Sequence, residues 1–455
     1  METEIRKENK MGHAPMFRLI ISMSLPAIFS MTVQALYNIV DSIFVAHYSE
    51  DGLVALTLAM PIQMIIIALG VGTGVGINSL IARRLGERNF KEADSAATHG
   101  LLLAFLNWAI VALIGLFFAR PFLEAYASDP AIVSMGCQYL YPITILSFGV
   151  FIQISCEKIL QATGNMIYPM LFQLIGALTN VILDPIFIFG YFGVPELGVL
   201  GAAIATVIGQ CVSMLFCLYV VFTKEHEVRI SFRGFRFNPV IIKRIYQVGF
   251  PSIIMQSIAS ILLMGMNAIL TGFSSTAVAV MGVYFRLQSF VFMPVFGLTQ
   301  GLMPIMGYNF GARNKKRLLS ALKIGGGIAC CFMLVGMILF MTIPGPLLRL
   351  FDASDDLMGM GTLALRTISI GFLLAALGIT ISVFFQAIGK GINSLMISVL
   401  RQLFVVLPVA YLLASLGINY VWWSFPIAEV VATGVSFILF KITYEKEIRN
   451  LERPL

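Results

Sequence analysis

The stretch Tyr37-Asn38-Ile39-Val40-Asp41-Ser42-Ile43-Phe44 places a carboxylate inside a hydrophobic segment that runs from about residue 17 to residue 47. A charged side chain at the centre of a membrane span costs about 2.5–3.5 kcal/mol on insertion scales, so it marks a functional site by default. Asp184, within Leu178-Thr179-Asn180-Val181-Ile182-Leu183-Asp184-Pro185, is a second such acid. The two acids therefore predict a cation site inside a membrane.

The composition is that of a polytopic membrane protein. Of the 455 residues, 58% are hydrophobic and 12% are charged, whereas soluble proteins average about 25% charged residues. The net charge of +7 does not indicate a nucleic-acid partner, because the cations lie in short loops between hydrophobic segments. The sequence shows no signal-peptide pattern. It also shows no clustered nucleophile, metal-ligand spacing or phosphate loop, so we expect neither an enzyme nor a bound cofactor.

Twelve segments reach the roughly 20 apolar residues that a membrane span needs. They cover approximately 16–47, 53–82, 95–120, 131–160, 167–191, 197–222, 241–272, 277–308, 318–345, 357–387, 393–416 and 419–441. The basic loops follow the second, sixth, eighth and twelfth segments, on the side of the N-terminus. We therefore expect a multi-pass protein of the inner (plasma) membrane with both termini in the cytoplasm.

The second half of the chain repeats the first at a spacing of 225 residues over more than 130 positions. The matched pairs are Pro26 and Pro251, Gly72 and Gly297, Gly76 and Gly301, Asn89 and Asn314, and Gly164 and Gly389. This repeat predicts an N-terminal lobe over 1–222, a cytoplasmic linker over 223–244 and a C-terminal lobe over 245–455. Parallel repeats are related by an axis along the membrane normal, with substrate sites between them. For the basic linker, a solvated loop is favoured over lipid or partner binding.

Four polar groups of the first half share one depth. At ~1.5 Å of helix rise per residue, Asp41 lies ~10 Å from the outer end of its span and Asp184 ~13 Å. Tyr139 and Thr206, on spans that run inward, lie ~12–13 Å deep. These depths predict that the four side chains gather in one site.

Asn38 and Asn180 precede the two acids by three and four residues, which places each on the helical face of its acid. Carboxylate, amide, hydroxyl and phenol oxygens can hold a hard monovalent cation. If the ion is Na⁺, the predicted ligands are Asp41, Asp184, Asn180 and Thr206. The site could equally hold a proton, because burial and a neighbouring anion both favour the protonated form of a carboxylic acid. The remaining alternative is a purely structural role for the acids as hydrogen-bond acceptors.

The second half lacks the acid pair, since the repeat puts Met266 opposite Asp41. Instead it carries Arg286, Arg366 and Glu429 in its own spans. These residues form either an Arg–Glu pair that locks the lobe or a site in which Glu429 recognises organic cations. The candidates for a substrate cavity are Gln256, Arg286, Glu429, Met266 and Tyr37.

Other span residues have more than one interpretation. Pro26 and Pro185 are candidate hinges, although static kinks explain them as well. The glycine-rich run over 70–76 predicts close helix packing. Glu157 and Lys158, near the cytoplasmic end of the fourth span, are interpreted as a surface ion pair.

These stretches resemble the multidrug and toxic compound extrusion (MATE) family, and within it the bacterial multidrug-efflux branch. The residues that carry the resemblance are 38–44, 161–165, 180–188, 201–206 and 307–312. The resemblance implies an all-α integral membrane protein with twelve transmembrane helices in two six-helix lobes, related by pseudo-two-fold symmetry along the membrane normal. It also implies a cation site made of Gln34, Asn38, Asp41, Tyr139, Asn180, Asp184 and Thr206.

The activity that the resemblance implies is the export of small amphipathic, mostly cationic drugs against H⁺ or Na⁺ by alternating access, by a monomer in the lipid bilayer. The kink near Pro26 is then the moving part. One departure is Gln256, which stands where some relatives place a coupling acid in the seventh span. The alternative function is a lipid-linked oligosaccharide flippase of the same superfamily, which Arg286, Arg366 and Arg401 keep open.

Overall fold

The computed structural model describes residues 9–351 and 354–451, and within these ranges the chain is helical with no β-strand. The helices of the first half are α1 Lys10–His13, α2 Met16–Tyr48, α3 Glu50–Gly86, α4 Phe90–Tyr126, α5 Pro130–Ile145, α6 Phe148–Ala162, α7 Ile167–Phe189 and α8 Val199–Thr223. Those of the second half are α9 Pro239–Thr271, α10 Ser275–Gly311, α11 Lys315–Thr342, α12 Pro344–Arg349, α13 Asp355–Ser369, α14 Phe372–Ala387, α15 Gly391–Val399, α16 Leu407–Ala414, α17 Ile418–Val421 and α18 Ser424–Thr443. A π-helical segment, Leu400–Val406, joins α15 to α16.

The described helices confirm the prediction of an all-α membrane protein. Ten spans are long and apolar enough to cross a bilayer, and two further bent helix pairs bring the number to twelve when each pair counts as one span. The pairs are α5 with α6, bent by 46°, and α13 with α14, bent by 50°. The sequence predicts an unbroken span in both places. The two breaks lie 225 residues apart to within one residue, so the repeat extends to this distortion.

The repeat also preserves the residues that start helices. Ser49 and Ser274 occupy equivalent positions, and each hydroxyl accepts a hydrogen bond from a backbone N–H of the next helix's first turn. Asn89 and Asn314 do the same with their side-chain oxygens. Such caps satisfy backbone donors that the helix leaves unpaired. The four caps therefore fix where α3, α4, α10 and α11 begin.

Equivalent arginines lie two residues before α4 and α11, and both adopt a backbone conformation that is uncommon outside glycine. Arg88 just before α4 has φ 59°, and Arg313 just before α11 has φ 52°. Two glycines at equivalent positions, Gly164 and Gly389, also take positive φ angles of 85° and 90°. The short loops of the two halves thus share one backbone geometry.

The contacts divide the described chain into two compact units. One contains Asn9 and residues 29–253, and the other contains residues 10–28 and the described residues of 254–451. Both α2 and α9 are divided by this boundary, in each case two residues after a proline, Pro26 or Pro251. The first part of each helix therefore belongs to the unit made mostly by the other half of the sequence.

The glycines of α3 and α10 permit these first parts to pack closely. A Cβ on Gly76 would lie 2.1 Å from the Ile245 carbonyl oxygen of α9, and one on Gly72 would lie 2.4 Å from the Ile253 side chain. Their repeat equivalents, Gly297 and Gly301, pack in the same way on Ile28 and Ser24 of α2. The prediction of close helix packing at the glycine run is confirmed.

Candidate cation site

The two predicted acids meet inside the first unit. Asp41 on α2 is 9% exposed and Asp184 on α7 is fully buried. Their carboxyl groups lie close enough to share a hydrogen bond. Asp41 Oδ1 is buried, and no donor in the described part of the chain reaches it. Two carboxyl groups in contact leave room for a proton or a cation as the missing positive partner.

Asn180 connects Asp184 to the neighbouring helix. Its amide nitrogen donates to Asp184 Oδ1 at 3.3 Å and to the Thr206 hydroxyl at 3.1 Å, while the hydroxyl donates to the Ala202 carbonyl at 2.9 Å. With the amide turned over, it would donate to Asp184 Oδ2 at 3.0 Å and accept from Thr206 at 3.1 Å. Either orientation links the same three residues, all of which are buried.

Small residues of α8 bring Thr206 to this position. A Cβ on Gly209 would lie 2.8 Å from the carbonyl oxygen of Gly176, and one on Gly201 would lie 2.3 Å from that of Phe187. The backbones of α7 and α8 therefore approach as closely as small residues permit. This contact places Thr206, between the two glycines, against the face of α7 that carries Asn180.

Two tyrosines border the acids. Tyr139 of α5 is buried, and its hydroxyl accepts a hydrogen bond of 2.7 Å from Gln63 Nε2 of α3. Tyr37 of α2, a candidate for the substrate cavity, lies beside the acids, with its hydroxyl in hydrogen-bonding reach of Thr206. Sequence reasoning missed Gln63, although a polar amide inside the apolar second span was a usable signal.

The other residues predicted for the cation site and the hinges lie on α2 and α7. The Gln34 side chain is exposed on α2, and the side chain of Asn38 is outside the described residues. Pro26 lies inside α2, in the part that belongs to the second unit, and Pro185 lies inside α7 directly after Asp184.

In the second unit, Glu429 pairs with a cation that the sequence did not assign to it. Arg401, on the π-helical segment, approaches Glu429 Oε2 at 3.6 Å. That distance is too long for a hydrogen bond, and no described donor satisfies this oxygen. The side chain of Arg286 is exposed, whereas Arg366 Nε donates to the Met341 carbonyl at 3.1 Å.

The other two candidates for the substrate cavity differ in their exposure. Gln256 is exposed on α9, whereas Met266, the repeat equivalent of Asp41, is fully buried. An apolar, buried methionine provides no charge at this position. The acid pair is thus a feature of the first unit.

The interpretation of Glu157 and Lys158 as a surface pair is wrong. Both are buried, at 4% and 6% exposure. Lys158 Nζ donates to Gln161 Oε1 at 2.9 Å, Gln161 Nε2 donates to Glu157 Oε1 at 2.9 Å, and Gln173 Nε2 donates to Glu157 Oε2 at 3.0 Å. The two glutamines supply the polar partners that a buried ion pair needs.

The fold and this cluster define a polytopic, all-α membrane protein with a buried acid pair on two of its spans. A sequence model of the MatE family matches residues 26–186 and 251–412, which together make up more than half of the chain. The chain belongs to the MatE family.

Similar proteins include transporters of known structure. Multidrug export protein MepA of Staphylococcus aureus (strain MSSA476) is 26% identical over 418 residues, 91% of each chain. A MOP superfamily transporter from Pyrococcus furiosus, whose binding pocket of reverse polarity suggests a different function, is 29% identical with a TM-score of 0.91, over 99% of this chain and 100% of that chain. An outward-facing multidrug resistance MATE family transporter gives the same identity and TM-score over 99% of both chains.

Proposed function

We propose that this protein is a secondary-active multidrug exporter that moves small amphipathic, mostly cationic drugs out of the cell against an inward flow of H⁺ or Na⁺. The observation that carries the proposal is the contact between the carboxyl groups of Asp41 and Asp184. Membership of the MatE family and the similarity to a multidrug export protein support the same class of activity. The protein then works in the plasma membrane as a monomer, with both termini in the cytoplasm and without a cofactor.

The acid pair is suited to ion coupling because its occupancy changes its charge. An empty, ionised pair holds two negative charges in contact, which strongly favours uptake of a proton or a cation. If the ion is Na⁺, the oxygens of Asp41, Asp184, Asn180 and Thr206 are its ligands, with the phenol groups of Tyr139 and Tyr37 beside them. If the ion is H⁺, the two carboxyl groups share it.

Ion binding drives alternating access only if the ion prefers one of the two states. Within this proposal, the ion either competes with the drug or reshapes α2, the helix that carries both Asp41 and Pro26. Pro26 lies two residues before α2 passes from one compact unit to the other, which favours it over Pro185 as the hinge. Gln256 and Glu429 are the polar side chains that we assign to recognition of the cationic drug.

No observation favours the flippase alternative. Arg401, one of the arginines that kept this alternative open, faces Glu429. Part of the positive charge of Arg401 is therefore already balanced within the protein.

The test is transport by reconstituted vesicles with separately imposed Na⁺ and pH gradients. We expect Asp41→Asn and Asp184→Asn to reduce ion-driven drug transport at least tenfold (on the order of 1.4 kcal/mol), because a neutral amide cannot take up the ion's charge. The control is Asp51→Asn, which removes an exposed acid at the start of α3 and is expected to transport normally. Undiminished ion-driven transport by both test variants would refute the proposal.

A further inference from the structure

The linker between α8 and α9, residues 224–238, packs against α4 of the first unit. It is therefore not the free solvated loop that the sequence favours. The Arg229 backbone N–H donates to Asp94 Oδ1 at 2.8 Å. The Ser231 backbone N–H donates to the Thr98 hydroxyl at 3.3 Å. Asp94 and Thr98 lie one turn apart on α4, so the linker follows this helix.

A buried histidine makes the third contact. His99 accepts a 2.9 Å hydrogen bond at Nε2 from the Asn238 backbone N–H, while its Nδ1 faces the Ser95 carbonyl at 2.7 Å. Because a carbonyl can only accept, Nδ1 carries the proton and Nε2 is free to accept. The imidazole ring also packs against Phe235, with ring centroids 4.7 Å apart. Backbone hydrogen bonds at residues 229, 231 and 238 therefore hold the linker against α4.

This docking leaves cations and aromatic rings of the linker facing outward. Phe232 is 49% exposed and Phe237 is 63% exposed, and the side chains of Arg233 and Arg236 are exposed beside them. Gly234, with φ 72°, forms the turn in which the Phe235 N–H donates to the Phe232 carbonyl. We call Phe232, Arg233, Arg236 and Phe237 the linker patch. The sequence from 229 to 237 contains no acid.

The docked segment lies at the ends of membrane-spanning helices, where we expect the lipid headgroups. The linker joins two spans directly, from Thr223 at the end of α8 to Pro239 at the start of α9. Its contacts on α4 fall on residues 94–99, which are ~6–14 Å along the helix from Phe90. Aromatic rings and basic side chains are the residue types that the interface between water and hydrocarbon favours.

We propose that the linker patch binds the headgroups of anionic phospholipids in the leaflet that it faces. The guanidinium groups of Arg233 and Arg236 can each bind a phosphate through two parallel hydrogen bonds, and the two exposed phenylalanines can insert beside the glycerol and upper acyl region. Because the linker backbone is already held in place, it loses little conformational entropy when lipid binds. This site is separate from the acid pair and independent of the proposed transport activity.

The test compares lipid binding by the full-length protein and its variants, with native mass spectrometry in mixed phosphatidylglycerol and phosphatidylcholine. Each basic residue near a membrane surface contributes about fivefold in affinity for anionic lipid. Arg233→Gln with Arg236→Gln should therefore weaken phosphatidylglycerol binding about 25-fold and leave phosphatidylcholine binding unchanged. The control, Arg88→Gln with Lys91→Gln, removes one exposed cation from the loop before α4 and one from the first turn of α4, neither of them beside the two exposed phenylalanines, and should weaken binding clearly less than the first double variant. Equal losses in the two double variants, or no loss in the first, would overturn the proposal.

Hydrogen exchange of residues 229–238 in nanodiscs provides a readout located at the patch. The wild-type segment should exchange more slowly in phosphatidylglycerol nanodiscs than in phosphatidylcholine nanodiscs, and Phe232→Ser should reduce this difference. Equal exchange in both lipids contradicts the proposal. Full protection in phosphatidylcholine nanodiscs after addition of inorganic phosphate would assign the patch to a soluble anion and overturn the lipid assignment.

Discussion

The Asn180 amide is the side chain that ties the acid pair to a second helix. It bonds Asp184 and Thr206 in either orientation of the amide, and so fixes one carboxyl group relative to α8. A ligand site held by such partners binds its ion with little reorganisation. If the acid pair binds the coupling ion as proposed, Asn180 affects the ion affinity through the position of Asp184, whether or not its own oxygen touches the ion.

Substitution of this asparagine should weaken ion binding more than it weakens the fold. Hydrogen bonds to charged groups contribute about 1.5–3 kcal/mol, so Asn180→Ala is expected to raise the ion concentration for half-maximal transport by about 10- to 100-fold. The measurement is drug efflux from vesicles over a range of Na⁺ or H⁺ concentrations.

Asn107→Ala is the matched control, because Asn107 is a buried asparagine of the same unit that donates to the hydroxyl of Thr73 at 3.0 Å. It should lower thermal stability without changing ion dependence. An unchanged ion dependence in Asn180→Ala would contradict the role given to this residue.

Single residues also show what the sequence could and could not predict. Asp41 and Asp184 could be singled out as site residues from the sequence, because a charge in an apolar span is costly wherever it lies. Glu157 and Lys158 were misplaced, because the partners that make their burial tolerable come from Gln161 one turn later and from Gln173 on another helix. Helix-to-helix partners of this kind depend on packing, which no local pattern specifies.

The sequence of α3 is closely constrained by its neighbour α9. A Cβ on Gly76 would lie 2.1 Å from a backbone carbonyl oxygen of α9, and a backbone atom cannot rotate away as a flexible side chain can. The helix as a whole would have to move outward. The glycine run in the sequence was sufficient to predict close packing, but not the identity of the helix that packs there.

We therefore expect Gly76→Ala to destabilise the protein by about 1–3 kcal/mol, the usual range for overpacking. The measurement is thermal unfolding in detergent or nanodiscs. Gly327→Ala on α11 is the control, since a Cβ there meets nothing within 4 Å and alanine favours a helix by up to about 1 kcal/mol over glycine. Equal stability of the two variants would show that α3 and α9 can separate at no cost.

The bends between α5 and α6 and between α13 and α14 were not predicted, because their sequences read as continuous apolar spans. Pro142 lies just before the first break and Gly371 at the second, but such residues also occur inside unbroken helices of this chain. Pro61 of α3 is an example. The bends are therefore set by the packing around the helices and not by one residue type.

The acid pair should also couple ion binding to the global stability of the native protein. A ligand that binds only the folded protein stabilises it by about 2.7 kcal/mol at one hundred times its Kd. Titration with Na⁺ at constant pH, and with acid at constant Na⁺, should therefore raise Tm by a few degrees for the coupling ion and leave it unchanged for the other ion. The double variant Asp41→Asn with Asp184→Asn should lose this response, whereas Asp51→Asn should keep it. A full response in the double variant would place the ion elsewhere in the molecule.

The overall architecture was the most predictable part of the structure, since hydropathy and the repeat of 225 residues specify the number and order of spans. The two compact units were less accessible from sequence, because they do not coincide with the two halves of the repeat. Residues 10–28 and the start of α9 each contribute to the unit built mainly by the other half. Neither segment carries a local signal of this exchange apart from Pro26 and Pro251.

This exchange has a consequence for how the chain is made on the ribosome. The first unit needs residues up to 253, so it is still incomplete when the first six spans have been synthesised. The second unit needs residues 10–28, which are among the earliest to be synthesised and must wait for the last spans to be inserted. Neither half of the gene, expressed alone, would encode a complete folding unit, and the two halves would have to be produced together to complement each other.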